Sequence, residues 1–118
     1  MKQQILLVDD DEIWVEAASR ILRHAGYDVL PASDHREALQ ILEGPRRVDL
    51  LLTDVVMPQR VNGVALARMA GMRRPGLKVI YLTGYDLPGL SEGTNGTILR
   101  KPIDDDALLR EVAGALGT

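Results

Sequence analysis

Four short apolar runs each lead into a residue able to act on phosphate or on a metal ion. Ile5-Leu6-Leu7-Val8 leads into Asp9-Asp10, and Val48-Asp49-Leu50-Leu51-Leu52-Thr53 into Asp54. Leu77-Lys78-Val79-Ile80-Tyr81-Leu82 leads into Thr83, and Thr97-Ile98-Leu99-Arg100 into Lys101-Pro102. A carboxylate cluster repels itself unless a proton or cation is present. Mg²⁺ suits such a cluster, because it accepts a few carboxylates, keeps waters and recruits phosphate oxygens. A lysine can neutralise a phosphoryl group as a point charge. Thr83 is followed by Gly84, which lets a ligand approach the backbone. A plainer reading competes for Asp9 and Asp10: with Asp11 and Glu12 they could simply cap the helix that follows.

Short apolar runs of this kind read as buried parallel strands. Open α/β sheets bind ligands at the carboxyl ends of their strands, so the four polar ends are expected to gather at one edge. Between the strands, helical spacing of Ile13, Ala17, Ala18, Ile21, Leu22 and Ala25 predicts a helix over 12–25 with Gly26 as its stop. Tyr27 to Ala32 reads as a strand. Asp34 and Glu37 have the spacing of a capping box and open a helix to about Leu42. Val64 to Met72 reads as a helix, and Asp104-Asp105-Asp106 starts a last one with Leu108, Val112, Ala115 and Leu116 on one face. The stretch GYDLPGLSEGTNG over 84–96 leaves little room for a helix of ordinary length. The alternation predicts a single α/β domain over 1–118, with five parallel strands and four or five helices.

The bulk numbers agree. The 118 residues are 46% hydrophobic and 26% charged, which fits one soluble globular domain. A net charge of −3 implies no general affinity for nucleic acid or anionic membrane. The absence of cysteine excludes disulfides and thiolate chemistry. With no signal peptide and no membrane span in the pattern, a cytoplasmic protein is expected. His24 and His35 read as structural, and Met57, Met69 and Met72 as core filler. Trp14, one helical turn past Asp10, reads as a packing residue, with a place near the acidic cluster left open.

The ordered set Asp9-Asp10, Asp54, Thr83 and Lys101-Pro102 resembles the receiver domain of two-component response regulators. ILLVDDDE, DLLLTDVVMP, NGVALA, VIYLTGY and LRKPIDDDALL read like receiver sequence, most like receivers of hybrid histidine kinases or single-domain regulators. The resemblance implies a flavodoxin-like, doubly wound sheet of order 2-1-3-4-5. It implies Asp54 as phosphoacceptor, taking a phosphoryl group from a phosphohistidine on a histidine kinase or histidine phosphotransfer protein. Asp9, Asp10, Asp54 and the backbone carbonyl of Val56 would hold Mg²⁺, Lys101 would offset charge, and Thr83 would bond the phosphoryl group and pull its loop inward. The Lys101-Pro102 bond is usually cis in the family. Such a chain would catalyse its own phosphorylation and slow dephosphorylation without being a classical enzyme. No output domain stands in these residues, so direct nucleic-acid binding is not expected, and a weak homodimer is compatible with the pattern.

Three departures from the family pattern stand out. Ile98 occupies the place of an aromatic switch residue, for which Tyr85 is a candidate substitute. The segment between Thr83 and Lys101 is short, so the fourth helix of the family is expected to be shortened or absent. The loop between Pro58 and Gly63 looks one residue longer than usual. Val56 and Tyr85 flank the expected phosphoryl position and are expected to hinder hydrolysis. Two rival readings share some of these residues. One is a haloacid-dehalogenase-like phosphatase with Asp9 as nucleophile, which leaves Asp54 without a role. The other is a flavodoxin-like nucleotide or flavin binder, which lacks a glycine-rich loop after the first strand.

Overall fold

The structure, a computed structural model, describes residues 2–56, 63–84 and 96–117. Its strands are β1 (Gln4–Val8), β2 (Asp28–Ala32), β3 (Leu50–Asp54), β4 (Lys78–Thr83) and β5 (Thr97–Arg100). The helices are α1 (Glu12–His24), α2 (His35–Glu43), α3 (Gly63–Arg73) and α4 (Asp105–Leu116). All strand pairs are parallel, in the order β2-β1-β3-β4-β5. This is the doubly wound sheet expected from the sequence.

The apolar runs are unbroken because alternate residues feed two cores. Leu6, Val8, Leu51 and Tyr81 pack on one face with residues of α2 and α3. Ile5, Leu7, Leu50, Leu52, Ile80 and Leu82 pack on the other with residues of α1 and α4. The register sets Val8 beside Thr53 and Asp54 beside Leu82, so β1, β3 and β4 finish at one level.

Local chemistry fixes the ends of the helices. Asp11, not Asp9 or Asp10, caps α1, its Oδ1 accepting the Trp14 N–H at 3.2 Å. The plainer reading of the acidic pair is thereby answered: the third aspartate does the capping and leaves the first two to the site. At the far end Gly26, at φ +101°, turns the chain, and the Gly26 and Tyr27 N–H groups bond the carbonyls of Arg23 and Leu22. That is a Schellman termination, which requires a left-handed residue. Asp34 Oδ1 accepts the Glu37 N–H at 2.9 Å, while Glu37 reaches back to Ser33 rather than to Asp34. Only half of the expected capping box forms.

Two expectations need correction, and others fall outside the described residues. Met72 is 80% exposed, on the outer side of α3, and is not core filler. The fifth strand, which the sequence pattern runs to Lys101, ends one residue earlier at Arg100. Met57, the loop from Pro58, Tyr85 and the stretch where the family's fourth helix was expected to be shortened or absent all lie outside the described residues. Among the described residues, no helix is long and apolar enough to cross a membrane.

Candidate functional site

The carboxyl ends of β1 and β3 bring Asp9, Asp10 and Asp54 together, with one carboxylate oxygen from each lying within 4.8 Å of the others. Their surroundings differ. Asp9 is 1% exposed, Asp10 faces solvent, and the Asp54 side chain is 13% exposed. Each oxygen of Asp9 is engaged: Oδ1 accepts the Asp11 N–H at 3.0 Å and Oδ2 accepts from Lys101 Nζ at 2.5 Å. A buried carboxylate needs such partners.

Lys101 arrives from the end of β5, where its N–H donates to the Thr83 carbonyl at 2.7 Å. Its ammonium lies 3.9 Å from Asp54 Oδ2 and 4.8 Å from the centroid of the Trp14 ring. The sequence left a place for Trp14 near the acids but did not foresee this contact. The only local sign was the three-residue spacing from the Asp11 cap, which fixes where the first turn of α1 puts the indole. Thr83 is buried at the end of β4, and Val56 stands two residues past Asp54 with its side chain half exposed. The Lys101-Pro102 peptide is cis. Ile98 is partly buried and pairs in register with Tyr81, whose phenol is pushed up by burial. An aromatic ring therefore stands one strand away from where the family pattern puts it.

Burial, and secondarily the Asp9 carboxylate, push the Asp54 carboxyl from 3.8 up to about 6. The Lys101 ammonium and the Val56 N–H act in the opposite direction without cancelling this. The lysine in the cluster does not offset burial and the neighbouring carboxylate. Oxygen donors in that state fit a hard divalent cation. Gly63 packs closely against the backbone that ends β3. Its N–H bonds the Val55 carbonyl at 2.8 Å, and a Cβ there would run into the Asp54 carbonyl oxygen.

The model of the response regulator receiver domain matches residues 5–113. The chain belongs to that family. The receiver protein CpdR of Brucella abortus is 32% identical over 114 residues, 93% of this chain and 93% of that protein. A CheY-like receiver domain protein from Methanospirillum hungatei has the same fold, with a TM-score of 0.89 at 30% identity over 99% of this chain and 95% of that one. The receiver domain of the hybrid histidine kinase CckA gives 0.82 at 37% identity over 96% and 98%. Other relatives are much longer, and the chain spans only 17% of the length of one of them. As a receiver domain, the chain is a component of two-component signalling.

Proposed function

We propose that Asp54 accepts a phosphoryl group from a phosphohistidine on a histidine kinase or histidine phosphotransfer protein, with Mg²⁺ held by Asp9, Asp10, Asp54 and the Val56 carbonyl. The supporting observation is the convergence of three carboxylates and one ammonium at a single sheet edge, with Asp54 the acid in reach of both solvent and lysine. An Asp54 carboxylate oxygen attacks phosphorus, the phosphorus–nitrogen bond to the donor imidazole breaks, and the product is an acyl phosphate. Bound Mg²⁺ supplies charge neutralisation for the phosphoryl oxygens. Lys101 adds a second positive charge from the Asp9 side, and the Thr83 hydroxyl hydrogen-bonds the transferred group. Positioning and electrostatics carry most of such a transfer.

Asp9 is a poor nucleophile in this arrangement, since it is buried and both oxygens are taken. That weighs against the phosphatase alternative. The test is to incubate the protein with Mg²⁺ and acetyl phosphate and read the mass of the intact chain. One added phosphoryl group in the wild type and none in Asp54→Asn supports the proposal. Equal labelling of both proteins refutes it.

A further inference from the structure

Lys101 is held from two sides, and only one of them is an acid. Its Nζ donates to Asp9 Oδ2 at 2.5 Å, while the Trp14 ring centroid lies 4.8 Å away. The two holders are themselves joined. Asp9 Oδ1 accepts the Asp11 N–H at 3.0 Å, and Asp11 Oδ1 accepts the Trp14 N–H at 3.2 Å. Asp9, Asp11, Trp14 and Lys101 thus close a ring of contacts around the start of α1, with Asp54 Oδ2 outside it at 3.9 Å from the ammonium.

We propose that Trp14 is a positioning residue for the phosphoryl transfer: its ring face, together with Asp9, keeps the Lys101 ammonium at the rim of the site, within one short movement of Asp54. The inference rests on the proposed phosphorylation of Asp54. A lysine has a flexible stem and a compact charge, so its ammonium is easily lost to water unless something holds it. Asp9 alone would hold it by charge. The more the ammonium leans toward an arriving phosphoryl group, the more that hold opposes it. An indole face attracts a cation without a net charge of its own. The ring can therefore keep the ammonium over the site while it shifts between Asp9 and the phosphoryl oxygens. The indole is half-buried, with its body packed on the α1–α4 core. Asp11 fixes the first turn of α1, so the ring is placed before any phosphoryl group arrives.

Two measurements decide it. In the first, phosphorylation by acetyl phosphate with Mg²⁺ is followed across donor concentration in wild type, Trp14→Phe and Trp14→Leu, each shown by thermal melting to be folded. The leucine variant loses about threefold to tenfold in maximal rate, as expected for a cation–π contact of ordinary strength, with little change in the half-saturating donor concentration. The phenylalanine variant, which keeps a ring face, recovers most of the loss. A leucine variant at the wild-type rate, or a phenylalanine variant as slow as leucine, overturns the proposal. The second measurement needs no phosphorylation. Trp14 is the single tryptophan of the chain, so all indole emission comes from this ring. Lys101→Met changes the intensity of that emission in the resting protein, and Arg110→Met, at an exposed site on α4, does not. Unchanged emission in Lys101→Met overturns the contact itself. If the wild type takes up no phosphate while the emission responds, the reading of Asp54 has failed and the contact stands.

Discussion

Replacing Asp54 by asparagine should make the unliganded protein more stable at neutral pH, although it removes the central residue of the site. The carboxyl rises from 3.8 to about 6 on folding, so the folded state holds a proton more tightly than the unfolded chain. For a carboxylate raised in this way, stability is highest when the group is protonated and falls as pH rises through the folded value. Between about pH 4 and pH 6, wild-type stability therefore declines with rising pH, and above that window the full cost is in place. A shift of this size corresponds to at most about 3 kcal/mol, and about 1–3 kcal/mol is expected with partial exposure and the nearby ammonium. For a domain of this length that is about 4–12 °C in Tm. The assay is urea unfolding in the presence of a chelator at about pH 7.5 and about pH 4.5, for wild type and Asp54→Asn side by side. Titrating groups away from the cluster cancel in the difference between the two proteins. The variant should be the more stable protein at the higher pH, with the gap closing at the lower one. A variant less stable than wild type at neutral pH, or a gap independent of pH, would refute the electrostatic reasoning.

Under the proposed metal binding, Mg²⁺ should raise the Tm of the wild type at neutral pH, since the unfolded chain has no such cluster, and the rise should largely vanish in Asp54→Asn; equal rises in both would place the binding elsewhere. Gly63→Ala should cost about 2–4 kcal/mol, because a Cβ must displace the backbone of Asp54 and Val55, and chemical denaturation will show it. Val56→Asn combined with Tyr85→Ala should shorten the lifetime of phosphorylated Asp54, measured by loss of label after the donor is removed; an equal or longer lifetime would remove the proposed shielding role.

The strands and their polar ends were legible because a sheet buried on both faces writes itself as continuous apolar runs. Asp54 stood out for the same reason, as a carboxylate closing a run of four buried residues. Three consecutive aspartates hid the division of labour at α1, since any of them has the chemistry of a cap. The backbone decides for Asp11, because only there does the carboxylate reach the Trp14 N–H. The hold of Trp14 on Lys101 joins residues from opposite ends of the chain and depends on the meeting of α1 with the end of β5. No local pattern carries that distance. Met72 misled because composition cannot say which side of α3 a methionine occupies.

The decisive measurement is the identity of the residue that carries the phosphoryl group. The protein is incubated with Mg²⁺ and a histidine-phosphorylated donor, the product is reduced with borohydride, and the digested peptides are sequenced by mass spectrometry. An aspartyl phosphate is converted to homoserine at the modified position. Conversion is expected at position 54 alone. Conversion at Asp9, or none anywhere despite a competent donor, would contradict it.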